Sequence, residues 1–361
     1  VGCARHLLNA SASLDVRNKE GFTPLEEAVL RGHMDILQLA LEGWPGAVVS
    51  SRDLQGRNLL ELVASLTCNV EMLAALREAG LPLDNPSSKF ESPLLLALQA
   101  QERHSKDSQF FQTADEAMFS LLHWGTSPSC VDQDGVPFIH HLAQSPQDGK
   151  ADLLLACLEA ASTHSAPDAD SPEGGDTSSK QRMDVFWEEN RNSNGDTALH
   201  AAVLAGNIRT VDLLLRHGAP VDATTSQGHQ TALHLACSHL DAEDPLTAAV
   251  VQTLLDWGAN PNILNNDMDT PMHLCAADPQ KQALAELLLS TGKVDLRLKN
   301  RVGQSALDLA RDCCGGRNSA MYRALAGDPG ILEDDGFSVF QSDDKGGSWG
   351  GSGGGIGSRE V

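Results

Sequence analysis

From Asn194 the chain reads "NGDTALHAAVLAGNIRTVDLLLRHGAPVDA", and its apolar positions fall at helical rather than strand spacing. Leu199 and Ala202 share one face of a first short helix, and Val211, Leu214 and Leu215 share one face of a second. Thr197 stands where an N-cap oxygen is needed, Gly195 precedes the first helix, and Gly206 and Gly218 stand where the backbone turns after each helix. The pattern predicts two short helices, each burying one face. It also recurs along the chain. "TALH" at 197 returns at 231, "TPMH" follows at 270 and "SALD" at 305, steps of 34, 39 and 35 residues; upstream, "TPLE" at 23 and "NLLE" at 58 are 35 apart. Thr23, Thr231 and Thr270 repeat the N-cap, and Pro24 and Pro271 take the first helical position, where a missing N–H costs nothing.

A period near 33 residues opened by T-P-L-H-x-A resembles the ankyrin repeat, in which a β-turn feeds two antiparallel helices. The resemblance implies an all-α fold, an ankyrin-repeat solenoid of about eight repeats with short β-turn tips. Units begin near Gly21, Gly56, Phe90, Gly135, Gly195, Gly228, Met268 and Gly303, after a truncated one that ends near Asn18. The pattern is most complete from 195 to 310 and least complete from 85 to 190. "NLLELVASLTCNVEML" lacks the Thr-Pro and the His, Phe138 replaces the proline in "GVPFIHHLAQ", and Met268 stands where glycine is expected. "RDCCGGRNSAMYRALAG" loses the pattern and reads as a C-terminal cap. The chain opens without Met, and "CARHLLNASASLDVRN" from Cys3 reads as the second half of a unit, so the expectation is a fragment or processed form.

Composition narrows the class. The 361 residues allow two or three compact domains or one elongated one, and 41% hydrophobic content supplies a core. No stretch approaches the roughly eighteen uninterrupted apolar residues of a membrane span, and "VGCARHLLNA" lacks a signal peptide's apolar core. The eight cysteines include no C-x-x-C pair, which points to a reducing compartment; the expected location is cytoplasmic, with nuclear or endosome-associated sites as alternatives. A formal charge of −23 argues against direct binding of nucleic acid or of an anionic membrane surface, and no membrane insertion is expected.

"TALHLACSHL" holds His234, Cys237 and His239 within six positions, a cluster that invites a zinc reading. The period answers it. His200, His234 and His273 all fall on the repeat's histidine, whose ring, the resemblance implies, hydrogen-bonds in the loop network tying one repeat to the next. Cys237 and Cys275 lie at small-residue positions of the first helix, and a free cysteine behaves there as a small hydrophobe. No metal and no cofactor are expected. Nor is a catalytic residue: there is no G-x-S-x-G, G-x-x-x-x-G-K-[ST], G-x-G-x-x-G after a strand, or H-E-x-x-H. His140 and His141 are the remaining pair, and one of them sits on the repeat's histidine.

Three insertions interrupt the stack: "QERHSKDSQFFQT" at 101 to 113, "STHSAPDADSPEGGDTSSKQ" at 162 to 181, and "DAEDPLTA" at 241 to 248. The second is polar and proline-bearing, the composition of a disordered segment. Phe186 and Trp187, just beyond it, predict either a short helix re-entering the stack or a docking motif. Trp124 and Trp257, equivalent in "LLHWG" and "LLDWG", predict packing between neighbours. The expected organisation is divergent N-terminal repeats over 1–160, an acidic and mostly disordered insertion over 161–190, well-formed repeats with a cap over 191–326, and an acidic then Gly-rich tail over 327–361. Residues 161–190 and 327–361 each carry seven acids and two bases. In the tail, Phe337 and Phe340 lie among acids, as in a short linear motif that folds onto a partner.

The expected function is a protein-protein interaction scaffold or adaptor gripping a partner through the concave face of the stack. The exposed variable positions, and so the candidate contacts, are Ser193, Asn194 and Asp196; Ser226, Gln227 and His229; Asn266, Asp267 and Asp269; and Arg301 and Gln304. The acids at 267 and 269 point to a basic partner or a short peptide motif. The alternative is a regulatory or targeting arm of a larger enzyme, membrane or endosomal trafficking protein. The arrangement of "SPLLLALQ", a long insertion, "GDTALHAA" and "VDLRLKNRVGQSALDLA" is loosely similar to ankyrin proteins of the endosomal rabankyrin type, without a zinc-binding FYVE pattern.

Overall fold

Each unit of the pattern becomes a pair of helices. The computed structural model describes residues 2, 5, 6, 13, 15–84, 92–104, 107–145, 149–163, 177–240, 244–313 and 320–327. The helices are α1 (Pro24–Leu30), α2 (Met34–Gly43), α3 (Pro45–Ser50), α4 (Leu59–Leu66), α5 (Val70–Glu78), α6 (Pro93–Arg103), α7 (Ser108–Trp124), α8 (Phe138–Gln144) and α9 (Gly149–Thr163). Then come α10 (Thr177–Glu189), α11 (Ala198–Leu204), α12 (Ile208–Arg216), α13 (Ala232–His239), α14 (Pro245–Asp256), α15 (Pro271–Ala276), α16 (Gln282–Ser290), α17 (Ala306–Cys313) and α18 (Ala320–Ala326). Setting aside α3 and α10, they form eight pairs, all among the described residues. First helices stack on first helices and second on second, so one apolar core runs from Leu25 to Leu325. Between the third and fourth pairs the contact passes mainly through the second helices α7 and α9.

The short first helices owe their starts to local chemistry. Thr23 and Asn58 accept the N–H of Glu26 and Glu61, whose carboxylates reach back to the N-cap N–H at 3.1 and 2.7 Å. Antiparallel bridges pair Val131 with Pro137, Thr224 with Thr231 and Lys299 with Ser305, closing three of the turns as short β-turn tips.

The insertions differ from expectation, whereas Phe186 and Trp187 lie on a helix that re-enters the stack, one of the two readings expected of them. The segment 101–113 is largely helical, because Gln101 Nε2 donates to Phe111 O (2.9 Å) and to Asp115 Oδ1 (2.8 Å), while buried Lys150 of α9 donates to Gln101 Oε1. Those bonds satisfy polar groups that would otherwise need water, so α6 and α7 both extend past the usual repeat. In the third insertion, Asp244 Oδ1 accepts the N–H of Leu246 (2.9 Å) and starts α14 at Pro245. Phe186 and Trp187 are buried in the core on α10, their rings edge to face at 5.2 Å, so packing explains them. Trp124 packs on its neighbour, with Arg77 of α5 over the ring at 5.3 Å. Trp257 does so only at its edge: it is 43% exposed and donates Nε1–H to Asp212 Oδ1 of α12 at 3.3 Å. Of the insertion expected to be mostly disordered over 161–190, residues 161–163 and 177–189 are instead helical, in α9 and α10, the latter anchored by buried Phe186 and Trp187; residues 164–176 and the tail after Gly327 lie outside the described residues.

Candidate protein-binding surface

The turns are built by a residue that the sequence pattern left unremarked. Asn192 Oδ1 accepts the N–H of Asn194 (2.9 Å) and of Asp196 (2.8 Å); Asn265 Oδ1 accepts those of Asp267 and Asp269, both at 2.9 Å. Asn300 holds Val302 (3.1 Å) and Gln304 (3.0 Å) in the same way. Asn18, Asp53 and Asp132 repeat the arrangement upstream. A short side chain with an acceptor three bonds from Cα can bond its own backbone two and four residues on, which is why Asn and Asp fill these sites. The signal was legible as an Asn or Asp three residues before the turn glycine. The sixth turn differs: Thr225 Oγ1 accepts from Gln230 N (3.1 Å), the turn is one residue longer, and His229 rather than Gly228 takes the positive φ, +52°.

The histidines fasten each turn to the next. In the seventh unit Thr270 N–H donates to His273 Nδ1 (3.2 Å), so the ring proton sits on Nε2, which donates to Gln304 O (3.2 Å). His234 bonds Thr231 N (3.2 Å) and Asp269 O (3.0 Å), and His200 bonds Thr197 N (3.1 Å) and Gln230 O (3.1 Å). Burial lowers the pKa of all three, since a ring already accepting at Nδ1 inside the core has no room for a second proton. His140 Nε2 reaches Asn190 O at 3.0 Å, across the inserted α10. There Pro137 replaces the threonine and offers neither N–H nor hydroxyl, which leaves Nδ1 without a partner; burial pushes the His140 pKa down to about 4. In the first two units Glu26 and Glu61 hold the N-cap N–H, but an ionised carboxylate cannot donate onward.

His234 is thus committed to backbone groups, and Cys237 and Cys275 are buried free thiols. Among the described residues no three His, Cys, Asp or Glu side chains are gathered as a metal ion requires.

The turn tips are tied in series. Ser226 N–H donates to Asn194 O (3.0 Å), Asn266 N–H to Gly228 O (3.0 Å) and Arg301 N–H to Asp267 O (2.8 Å). Side chains add Gln227 Nε2 to Asn194 Oδ1 (2.8 Å) and Asn266 Nδ2 to Gln227 O (2.7 Å). The approach is close enough that a Cβ on Gly195 would lie 1.9 Å from Ser226 Oγ, so only glycine fits there. Of the candidate contacts, Ser193, Asn194, Ser226, Gln227, His229, Asn266, Asp267 and Arg301 are exposed. Asp196, Asp269 and Gln304 are half-buried instead, because each sits just before an N-cap and turns inward. Asp269 and Gln304 give their carbonyls to His234 and His273, and Asp196 Oδ2 accepts from Asn192 Nδ2 (3.0 Å). The acidic character expected at 267 and 269 is reduced accordingly: Asp267 pairs with Arg301 at 3.7 Å and Asp269 is not a tip residue.

Ankyrin repeats in three copies match residues 175–246, and a further ankyrin repeat matches 228–266. The chain carries ankyrin repeats. The ankyrin repeat domain of Bcl-3 superposes with a TM-score of 0.52 over 85% of this chain and 99% of that one, at 22% identity, a likeness of fold. Rabankyrin-5 of Mus musculus is 32% identical over 122 residues, 32% of this chain and 10% of the relative. Protein phosphatase 1 regulatory subunit 27 of Homo sapiens is 36% identical over 97 residues, 27% of this chain and 57% of the relative. The chain therefore spans about a tenth of the one and little more than half of the other.

Beside the ankyrin tips, the first helices present the residue that follows the histidine, or Asp308 in its place: Ala201 and Leu235 are buried, Leu274 and Leu309 half-buried. Leu204, at the end of α11, is 45% exposed. In the second and third repeats the same face is closed, because Arg57 Nη1 and Arg103 Nη2 converge on Ser65 at 3.2 and 3.4 Å.

Proposed function

We propose that the chain is a non-catalytic interaction scaffold whose partner lies along the concave side of the last four ankyrin repeats. Ankyrin repeats are a protein-interaction fold, and the observation that carries the finer reading is the tip series from Asn194 to Arg301. Its backbone is fixed by hydrogen bonds from one repeat to the next, while its outer side chains remain in solvent. A surface already ordered loses little conformational entropy when a protein docks. The contacts are Ser193, Asn194, Ser226, Gln227, His229, Asn266, Asp267 and Arg301. The partner is a protein surface or a peptide motif, and the charge argument for a basic one now rests on Asp267 alone. Among the described residues no helix is long and apolar enough to cross a membrane, and a cytoplasmic location is our working assignment.

The test is affinity capture with the intact chain beside a variant in which Asn194, Gln227, His229 and Asp267 are changed together. Partners retained equally by both would remove the tips from the reading. A second reading, a targeting or regulatory arm of a longer protein, is favoured by the small share of Rabankyrin-5 that the chain matches. Captured partners that recognise only a longer form of the protein would support it.

A further inference from the structure

The last repeat carries a surface unlike the rest of the stack. Lys293, Arg297, Lys299 and Arg301 fall within nine residues beside a single acid, Asp295, in a chain of net charge −23. All four are exposed. Next to them Val302 is 79% exposed and Met268 is 45% exposed, on adjacent tips joined by the bond from Arg301 N–H to Asp267 O. Met268 holds a φ of +59° at the place where the fifth and eighth turns have glycine and the sixth has His229. A side chain disfavours that conformation. Methionine there serves neither the backbone nor the core, and a strained residue that also displays a large apolar side chain is a pointer to contact.

The chain itself supplies a matching segment. In each preceding repeat of the C-terminal half, the residues that leave the second helix lead into the next turn, and Gly327, just past α18, stands where that path begins. There "ILEDDGFSVFQSDD", residues 331 to 344, holds five acids, no base, and Phe337 and Phe340. The ten steps from Gly327 to Phe337 span up to about 33–36 Å, more than the length of any second helix in these repeats.

We propose that residues 332–344 dock in cis on the eighth turn, with Phe337 and Phe340 against Val302 and Met268 and the flanking acids facing Lys299 and Arg301. Opposite charges steer the segment to the site and the apolar side chains hold it there. The pair already present, Arg301 with Asp267 at 3.7 Å, is more than 70% exposed on both sides and too weak to compete.

Hydrogen exchange of the full chain, read by mass spectrometry at low salt, tests this. Peptides covering 336–341 and 299–304 are expected to exchange at least tenfold more slowly than in Phe337→Ala/Phe340→Ala, which changes only the tail and leaves the repeats intact. Lys299→Glu/Arg301→Glu should abolish the protection, and adding Asp334→Lys/Asp335→Lys should restore it, a rescue that a merely unfolded last repeat would not show. Tail amides exchanging at the rate of an unstructured chain in the unaltered protein overturn the proposal. So does protection that grows with protein concentration, which assigns the site to the tail of a second copy.

Discussion

At the scale of single residues, the histidine of each repeat is a two-ended link, and its worth lies in what its loss leaves behind. Replacing His234 with Ala leaves the buried Thr231 without its N–H partner and takes one of the two donors from the Asp269 carbonyl, which keeps Asn265 N–H, so stability should fall by about 1–3 kcal/mol in chemical denaturation. A chelator should leave the melting curve unchanged, since the ring's nitrogens bond backbone and not metal; a large loss of stability would revive the zinc reading. The turn anchors make a sharper comparison. Asn265→Ala removes one oxygen that serves two N–H groups and should cost about 1–3 kcal/mol, whereas Asn265→Asp should cost much less, because Asp53 and Asp132 do the same work elsewhere in the chain. Equal losses for both variants would mean that packing, not the acceptor, fixes the turn.

At the scale of elements, α10 is the departure from regularity. It is inserted between the fourth and fifth pairs, yet the stack continues: α8 and α11 pack directly, and His140 reaches Asn190 just beyond the insertion. The helix is held by Phe186 and Trp187, which are buried against the core. Trp187→Ala should therefore destabilise the chain by about 3–5 kcal/mol, the range for deleting a large buried aromatic side chain. A change within about 0.5 kcal/mol, typical of a surface site, would restore the docking-motif reading of this pair. The extended α6 and α7 are the second departure, and Lys150 explains why they hold together: its ammonium lies between Gln101, Asp115 (3.4 Å) and the Phe111 ring.

At the scale of the whole molecule, the fourth position of each first helix divides the solenoid by chemistry. His140, His200, His234 and His273 lie in the fourth to seventh repeats, Glu26 and Glu61 in the first two. The histidines' folded pKa values are depressed, so below the usual value of about 6.5 the unfolded chain binds more protons than the folded one. Their contribution to stability is fully present above that pH and is lost as pH falls. For His140 the loss runs from about pH 6.5 to about pH 4 and amounts to roughly 3 kcal/mol. Glu61 acts in the opposite sense: burial raises its pKa, so protonation relieves a cost. Acidification should weaken the fourth to seventh repeats before the first two, as followed by hydrogen exchange at pH 7 and pH 5. Protection lost first from residues 59–78 would contradict this assignment. Nearest-neighbour coupling makes the difference observable, because one end of a repeat array can open while the other stays folded.

The sequence by itself determined the period, the helix pairs, their N-caps and the histidine positions, because these rest on interactions within a few residues of each other: a capping oxygen, a turn glycine, an apolar stripe. Met268 in the glycine position was legible for the same reason, and the structure gives it the positive φ that the pattern required. The Asn and Asp anchors were equally local and periodic, so they could have been read from the sequence as well. What only the tertiary structure decided is everything that depends on a neighbouring repeat. Asp196, Asp269 and Gln304 looked like exposed variable positions, yet the preceding repeat's histidine draws the carbonyls of Asp269 and Gln304 inward, and Asn192 holds Asp196. Gln101 looked like the start of a loop until Lys150, 49 residues later, supplied its partner. Phe186 and Trp187 could have faced solvent or core, and that choice was fixed by the surface α10 meets. Contacts at such separations leave no periodic trace in a single chain, since either partner can be replaced without disturbing the local pattern that predicts the helices.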